Sequence, residues 1–324
     1  MINVVIASPF SEESRQRIMT AGEGKCVFAE LGADTPPEKA AEIMAEAEVL
    51  VGFVHPGLYA HAKKLKLVQA TWAGVDSIVA AVPADVLMAN ASGAFGAVIS
   101  EHIIACAMSI MRLVPAYSRQ RRWKDLGCEL TFEGRRALIL GAGDIGLCTA
   151  RRLKPFGVTT VGVRRVPREI PQGFDEMYTL AQLDEQLALA DFVLCALPGT
   201  AETAGLLDER RLRLMKSTAV LVNAGRGSLI DTAALERVMA EGHLFGAALD
   251  VTEPEPLPES SPLWQMDNVL ITPHVAGLGF GHLPETEAKI AEICRENLRR
   301  YVNGEALMNI VDRSTGYRET VTEG

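Results

Sequence analysis

The stretch from Arg136 to Val163 constrains the fold of this chain more than any other. It reads RALIL, GAGDIG, LCTARRLKPFG and VTTVGV, so an apolar run leads into a glycine turn, a helical pattern follows, and a β-branched run closes the unit. A strand, a glycine turn, a helix and a second strand in this order predict a parallel α/β sheet.

Three glycines at this turn have the spacing of a dinucleotide-binding loop. Gly141 permits a tight turn, Gly143 lets the backbone approach a pyrophosphate closely, and Gly146 lets the helix pack against the strand. The N-terminus of the helix offers N–H groups and the positive end of its dipole to the phosphates. An ordinary glycine-rich turn is the alternative, but the flanking strands and helix favour a dinucleotide site.

Composition and charge exclude several classes of function. With 324 residues, 48% of them hydrophobic, the chain is long enough for two domains that each have a core. The formal charge of −9 disfavours nucleic acid and anionic membranes as partners. No apolar run approaches the roughly 20 residues that cross a bilayer, and the start MINVVIASPF has no basic signal-peptide region. We therefore expect a cytoplasmic protein.

The six cysteines are scattered along the chain and show no spacing typical of a metal site. We expect them to be buried, reduced thiols, and we expect no bound metal. They are Cys26, Cys106, Cys128, Cys148, Cys195 and Cys294.

Residues 1 to 97 alternate short apolar runs with helical segments, which predicts a small α/β domain. The loop TWAGVDS follows the apparent strand LKLVQA, so Ala73 and Gly74 lie at a strand end where open α/β sheets bind ligands, although a plain turn is an equal alternative. The amphipathic pattern PETEAKIAEICRENLRRYVNGE predicts a last helix that returns to this domain. We predict a first domain of residues 1–97 plus 285–324 and a dinucleotide-binding domain of residues 98–284.

The segment from Val98 to Tyr117 predicts a long helix that Pro115 interrupts late. Because it is apolar on nearly all sides, we expect it to be buried between domains or at a subunit interface. We expect His102 to be a hydrogen-bonded core residue, not a catalyst, and Trp123 to pack against the protein instead of covering a pocket.

Apolar strands continue after the glycine turn in DFVLCALP, AVLVNAGRG, HLFGAALDV and NVLITPH. Each is followed by a polar or glycine- and proline-containing loop, and parallel strands bring such loops to one edge of their sheet. The residues gathered at this edge are Pro198, Asn223, Arg226, Asp250, Glu255 and His274.

Three of these loop residues suit the reduction of a 2-keto acid. Arg226, between two glycines, can grip a carboxylate bidentately, although a surface salt bridge is the alternative. His274 can give a proton to a carbonyl oxygen near neutral pH. Glu255 can hydrogen-bond the imidazole and favour its protonated form. Glu253 competes for this role, and spacing alone does not choose between the two carboxylates.

The motifs GAGDIG, NAGRGSLID, LDVTEPEPLP and ITPHVAG, in this order, resemble those of the D-isomer-specific 2-hydroxyacid dehydrogenases, and the resemblance covers nearly the whole chain. The ending VDRSTGY and the arginines after VTTVGV resemble the glyoxylate/hydroxypyruvate reductase branch. The resemblance implies an α/β protein of two doubly wound parallel-sheet domains, Rossmann-like and flavodoxin-like, with a cleft between them. It also implies a homodimer built around the helix at Val98 to Tyr117.

The resemblance also assigns roles residue by residue. It implies that Arg226 binds substrate, that Glu255, the Glu of the second Glu-Pro, relays to the imidazole, and that His274 donates the proton. Ala73 and Gly74 match the backbone loop that binds substrate, together with Arg226 and His274. The expected cofactor-binding residues are Gly141, Gly143, Asp144, Ile145, Gly146, Arg164, Arg165, Leu197, Pro198, Asn223, Ala224, Gly225, Asp250 and Gly277.

The residues after VTTVGV predict the type of cofactor. An NAD site places a carboxylate roughly 20 residues beyond the glycine turn, but here the strand runs into Arg164, Arg165 and, after Val166 and Pro167, Arg168. A guanidinium there can hold a 2′-phosphate or stack on adenine, so we predict NADP as the preferred cofactor, with NAD possible. The alternative is a solvent loop in which Glu169 folds back to serve the ribose.

Two other functions fit the same fold. One is a non-enzymatic sensor or corepressor that responds to a dinucleotide, since fold alone does not fix function. The other is a formate-type or phosphite-type dehydrogenase. The set of Arg226, Glu255 and His274 favours an enzyme that reduces a small 2-keto acid, such as glyoxylate or hydroxypyruvate, to the D-2-hydroxy acid.

Overall fold

The computed structural model describes residues 1–75, 78–127, 129–165, 169–313 and 317–318. The chain divides into two compact units. We call them the terminal unit, Met1–Ala94 with Leu278–Gly324, and the central unit, Phe95–Gly277. Both joins fall a few residues before the predicted ones. Cys128 and Arg168 lie outside the described residues, as do parts of TWAGVDS and VDRSTGY.

Strands and helices alternate through both units. The strands are β1 (Ile2–Ala7), β2 (Cys26–Glu30), β3 (Val49–Gly52), β4 (Leu67–Gln69), β5 (Leu87–Ala89), β6 (Arg136–Leu140), β7 (Thr159–Arg164), β8 (Glu176–Thr179), β9 (Phe192–Cys195), β10 (Val220–Asn223), β11 (Gly246–Leu249), β12 (Val269–Ile271), β13 (Val311–Asp312) and β14 (Tyr317–Arg318). The α-helices are α1 (Glu12–Thr20), α2 (Pro37–Glu46), α3 (Gly96–Met111), α4 (Val114–Arg119), α5 (Asp144–Leu153), α6 (Leu183–Leu189), α7 (Glu209–Leu214), α8 (Thr232–Ala240) and α9 (Pro284–Asn303). Among the described residues, none of these helices has both the length and the apolar character of a membrane span.

The terminal unit is built on a parallel sheet with the strand order β2-β1-β3-β4-β5. In β1, Val4 and its two following residues are buried, and Val4 pairs with Phe28 of β2 and Val49 of β3. The predicted last helix, α9, belongs to this unit, and its Glu287 accepts a hydrogen bond from the Ser11 amide at 2.8 Å. The apolar runs NVVIA, AEVLVGF and LKLVQA predict β1, β3 and β4, whereas β2 and β5 were not predicted. These two are the edge strands of the sheet, and their apolar runs CVFA and LMA are short and partly exposed.

The central unit contains a parallel sheet with the order β12-β11-β10-β9-β6-β7-β8. Its middle strands are buried along almost their whole length, as expected for a parallel sheet covered on both faces. Leu138 and Val193 lie in the core on one face, and Ile139 and Leu194 lie in the core on the other. The prediction of two doubly wound parallel α/β domains is confirmed.

The predicted helix from Val98 to Tyr117 is in fact two helices. The first, α3, begins at Gly96 and ends at Met111, and α4 begins at Val114. Between them Leu113 adopts the left-handed conformation, with φ 54°. The break has a physical cause, since Pro115 has no N–H to donate and its ring would clash with the carbonyl of Met111 in a continuous helix.

Two expectations about burial were wrong. Trp123 does not pack against its own chain but is fully exposed, because the segment after α4 leaves the core without regular structure. Of the five described cysteines, which are all free thiols, Cys26 and Cys148 are only half-buried. The other three are buried, and burial raises the pKa of the Cys106 thiol to about 12.

An ion-pair network ties β6 to β8 across β7 in the central unit. The Arg136 guanidinium donates to both carboxylate oxygens of Glu176, at 2.7 and 2.8 Å, and to Gln186 at 2.8 Å. The Tyr178 hydroxyl also donates to Glu176, at 2.7 Å. Arg136, with help from Tyr178, lowers the pKa of Glu176 from its ordinary 4.5 to about 2.

This network predicts a pH-dependent loss of stability on Glu176→Gln. The lowered pKa means that the carboxylate stabilises the fold fully above pH 4.5 and loses this contribution as the pH falls toward 2. At pH 7 we expect the variant to lose about 1 kcal/mol, because the pair is partly exposed, and to melt roughly 2–4 °C lower. Circular dichroism melts from pH 7 to pH 3 should show the difference from wild type shrinking with acidity, whereas Glu185→Gln on α6 should melt like wild type. A difference that is constant with pH would contradict this assignment.

Candidate active site

The glycine turn has the backbone that its sequence predicted. Gly141 has φ 106°, and a Cβ at this residue would lie 2.8 Å from the Ala196 carbonyl oxygen. A Cβ on Gly146 would lie 1.8 Å from the Gly141 carbonyl oxygen, so α5 can pack this closely only with glycine there. Gly143 caps α5 without a side-chain hydrogen bond, and a Cβ there would meet no atom within 4 Å. The turn therefore combines tight packing behind it with open space in front of the helix N-terminus, which fits a pyrophosphate.

The strand that follows α5 places two arginines at its carboxyl end. Arg164 is the last residue of β7 and is partly buried, while Arg165 is exposed. The Arg164 guanidinium donates to the carbonyl oxygen of Glu169 at 3.4 Å. This contact returns the Glu169 backbone to the strand end, which is the fold-back that the alternative role of Glu169 requires.

The loop after β10 is folded by Asn223. Its amide nitrogen donates to the Arg226 carbonyl oxygen at 2.9 Å, and its amide oxygen accepts from the Gly225 amide at 3.1 Å. The Arg226 guanidinium donates to the Gly225 carbonyl oxygen at 2.9 Å. A Cβ on Gly225 would lie 2.4 Å from the Leu197 carbonyl oxygen, so this loop packs directly against the loop after β9. Arg226 is thus held on a rigid turn and not on a mobile surface loop.

The neighbouring loop brings Glu255 to His274. A Cβ on Gly227 would lie 1.9 Å from the Thr252 carbonyl oxygen, so the loops after β10 and β11 touch at a glycine. The Thr252 amide faces a Glu255 carboxylate oxygen at 3.5 Å, and the other oxygen lies 2.6 Å from His274 Nδ1. Glu255, and not Glu253, is therefore the carboxylate that hydrogen-bonds the imidazole.

Asp250 fixes the backbone around His274. The Asp250 carbonyl oxygen accepts from the His274 amide at 2.8 Å, and its buried carboxylate accepts from the amides of Val275 and Ala276 at 2.9 and 3.0 Å. His274 itself adopts φ 54°, a conformation that few residues other than glycine occupy. The predicted cofactor-side residue Asp250 is thus also the anchor of the loop that carries the imidazole.

The other predicted site residues fall into two groups. Pro198, Ala224, Ile145 and Gly277 lie in the central unit in or beside these loops, and the Asp144 carboxylate lies against Gly96 at the start of α3. Ala73 and Gly74 lie in the terminal unit after β4, where the Asn90 side chain donates to the Ala73 carbonyl oxygen at 2.8 Å.

Two threonines at the carboxyl edge of the central sheet were not predicted as site residues. Thr252 lies in the loop after β11, within DVTEPEP, and Thr272 directly follows β12, within ITPH. Both hydrogen-bond to groups of the site. Their position at strand ends was the available signal. Hydroxyl groups there have no pattern of their own that separates a site residue from an ordinary loop residue.

The geometry of the central unit defines a class of protein. From the glycine turn to His274, adjacent loops form one continuous edge that carries a dinucleotide-type turn, a guanidinium and an imidazole paired with a carboxylate. The paired imidazole can move a proton, and the guanidinium can hold a carboxylate beside it. This combination is that of a dinucleotide-dependent oxidoreductase acting on a small acid.

Known proteins narrow this class. Residues 101–276 match the family profile described as D-isomer specific 2-hydroxyacid dehydrogenase, NAD binding domain. A glyoxylate reductase of Korarchaeum cryptofilum (strain OPF8) is 32% identical over 301 residues, which cover 86% of this chain and 88% of that protein.

Two solved structures are similar over almost the whole chain. A D-isomer specific 2-hydroxyacid dehydrogenase from Xanthobacter autotrophicus Py2, in complex with NADPH and MES, has a TM-score of 0.82, 30% identity and coverage of 97% of this chain and 99% of that one. An NADPH-dependent glyoxylate/hydroxypyruvate reductase from Sinorhizobium meliloti, in complex with NADP and sulfate, has a TM-score of 0.83, 26% identity and coverage of 98% and 100%. The chain belongs to the D-isomer-specific 2-hydroxyacid dehydrogenase family and is an NAD(P)-dependent oxidoreductase.

Because hydrogen bonds with Asn223 fix the loop of Arg226, we expect Arg226→Lys to lower activity strongly. Lysine keeps the charge but loses the planar fork that grips a carboxylate, so we expect kcat/KM for a 2-keto acid to fall by roughly 10²-fold. Steady-state kinetics with glyoxylate measure this, and Arg237→Lys, on α8 of the same unit, should keep wild-type kinetics. If Arg226→Lys kept the wild-type kcat/KM, the guanidinium would have only a general electrostatic or structural role.

Proposed function

We propose that this enzyme reduces a small 2-keto acid of the glyoxylate or hydroxypyruvate type to the D-2-hydroxy acid, with NADPH as the preferred reductant. The observation that carries the proposal is the 2.6 Å contact between His274 Nδ1 and Glu255, on the same sheet edge as Arg226. The names of the relatives support it, since several are glyoxylate reductases.

The protein's part in the reaction follows from the hydrogen bonds. Because Nδ1 faces a carboxylate, it carries a proton, and Nε2 is the nitrogen that serves the substrate. In reduction the imidazolium donates its Nε2 proton to the carbonyl oxygen, and in oxidation the neutral ring accepts it back. The bound cofactor supplies the hydride. Arg226 holds the substrate carboxylate and so aligns the neighbouring carbonyl carbon.

The glycine turn and the arginines after β7 would hold the cofactor. The pyrophosphate would lie at the open N-terminus of α5 at Gly143, and Arg164 and Arg165, at the carboxyl end of β7, would hold an adenosine 2′-phosphate. The solved relatives with bound NADPH or NADP support this preference.

We also infer a homodimer and a cytoplasmic location. Val114, Trp123 and Leu126 are exposed apolar side chains in and just after α4, which suits a surface that a second copy covers. A reducing compartment suits the free thiols of the described cysteines.

Two rival functions are separated by turnover. A dinucleotide sensor would bind NADPH but reduce no keto acid, and a formate-type or phosphite-type dehydrogenase would oxidise its own donor. Assays with glyoxylate, hydroxypyruvate, formate and phosphite distinguish these outcomes. Turnover with formate or phosphite alone, or with none of the four, would contradict the proposal.

His274→Ala should abolish most of the chemistry and little of the cofactor binding. Without the proton donor we expect kcat for reduction to fall on the order of 10²- to 10⁴-fold, with the Kd for NADPH within a small factor of wild type. Stopped-flow reduction and fluorescence titration measure the two quantities. His243→Ala is the matched control, because His243 lies in the same unit and its Nε2 contacts the Met215 carbonyl oxygen at 3.2 Å, not a residue of the site. Near-normal turnover of His274→Ala would remove His274 from the mechanism.

Removing both Arg164 and Arg165 should reduce the preference for NADPH. Each charge-assisted hydrogen bond to a 2′-phosphate stabilises bound NADPH but not bound NADH. We therefore expect the ratio of kcat/KM for NADPH over NADH to fall at least roughly 10-fold in the double alanine variant. The ratio is measured at one fixed keto-acid concentration. Glu169→Gln should keep the wild-type ratio, and Arg210→Ala with Arg213→Ala on α7 controls for the lost charge. A wild-type enzyme that prefers NADH, or a double variant that keeps its preference for NADPH, would show that the phosphate is not recognised by these arginines.

A further inference from the structure

His102 is linked to the site through a side chain that the sequence did not single out. It lies on α3, and its Nε2 is 3.2 Å from Thr272 Oγ1 and 3.3 Å from Cys106 Sγ. Thr272 Oγ1 in turn lies 2.6 Å from an oxygen of the Asp250 carboxylate. His102 is thus a hydrogen-bonded residue, as expected, but its partner leads to the loop of His274.

The direction of these hydrogen bonds follows from the donors available. A carboxylate only accepts, so the single hydroxyl proton of Thr272 is used toward Asp250. Thr272 Oγ1 must then accept from His102, which places a proton on Nε2. The three residues form an ordered relay in which His102 donates to Thr272 and Thr272 donates to Asp250, and His102 Nε2 also lies 3.7 Å from the same Asp250 oxygen.

The relay ends at the Asp250 carboxylate, which binds the backbone next to His274. The Asp250 oxygen that accepts from Thr272 also accepts from the Val275 amide, and the other oxygen accepts from the Ala276 amide. Both amides directly follow His274, whose own backbone is in the left-handed region. Rotation of the Asp250 carboxylate would therefore release two of the hydrogen bonds that hold this conformation.

We propose that His102 and Thr272 are positioning residues for the reaction, which act by fixing the Asp250 carboxylate and through it the loop that carries His274. This inference rests on the proposed function, because it takes His274 as the proton donor. Neither residue touches the reacting atoms in this role. The main effect is on the alignment of the imidazole, so the loss in kcat exceeds any change in the binding of substrate or of the cofactor that Asp250 is expected to adjoin.

Paired variants test the relay. Thr272→Val and His102→Leu each remove one donor, and we expect each to lower kcat roughly 10- to 100-fold, with smaller changes in KM for glyoxylate and in Kd for NADPH. The double variant should be no slower than the slower single variant, since both act in one relay. Thr272→Ser and His102→Gln, which restore a hydroxyl and an N–H donor, should recover most of the lost kcat.

A matched threonine separates positioning from stability. Thr160 is fully buried and donates to the Gly173 carbonyl oxygen at 2.7 Å in the same unit. Thr160→Val should lower Tm without changing kcat. Hydrogen exchange gives a readout that needs no turnover, since the amides of Val275 and Ala276 should exchange faster in Thr272→Val and His102→Leu than in wild type.

The outcomes distinguish this inference from the proposed function. If His274→Ala has wild-type turnover, the proposed mechanism fails whatever the relay variants do, and the inference fails with it. If His274→Ala is inactive while Thr272→Val and His102→Leu keep wild-type kcat, multiply their losses in the double variant, or leave exchange at Val275 and Ala276 unchanged, only the relay is overturned.

Discussion

Every strand of the central sheet runs in the same direction, and the placement of the candidate site depends on this constraint. Parallel strands deliver their carboxyl ends to one edge, so the loops after β6, β9, β10, β11 and β12 become neighbours although they are distant in sequence. The glycine turn, the Arg226 loop and the His274 loop are therefore gathered by topology before any side chain makes a contact. The side chains then only refine positions that the sheet has set.

Close backbone contact between these loops requires glycine at the points where they touch. Gly225 meets the Leu197 carbonyl, and Gly227 meets the Thr252 carbonyl, at distances that leave no room for a side chain. The resulting edge is stiff enough to hold a residue such as His274 in a left-handed conformation, with Asp250 binding the amides on either side of that strained point. The backbone strain at His274 is thus maintained by the hydrogen bonds to Asp250, while Glu255 holds the imidazole.

The sequence predicted the parts of the fold that have buried, periodic apolar patterns. It did not predict features that depend on exposed edge strands or on the path of a loop. The middle strands of both sheets are apolar runs and were identified, as was the edge strand β12 in NVLITPH. The edge strands β2, β5 and β8 were not identified, since they are short and their side chains are partly exposed. At the site, residue types and strand ends pointed to Arg226 and His274. Whether Glu255 or Glu253 contacts the imidazole depends on the geometry of the loop, which sequence spacing does not contain. In the structure the contact is the hydrogen bond between Glu255 and His274 Nδ1. The exposure of Trp123 depends on where the chain goes after α4, which no local pattern encodes.

The most direct test of the proposed reduction traces the hydride from NADPH to the product. The enzyme would reduce hydroxypyruvate with NADPH that carries two deuterium atoms at C4 of its nicotinamide, and the glycerate formed would be examined by proton NMR and by chiral chromatography. We expect D-glycerate with one deuterium at C2, because the hydride would move directly from the cofactor to the carbonyl carbon while His274 supplies the oxygen's proton. Glycerate with protium at C2, the L isomer, or no product at all would contradict it.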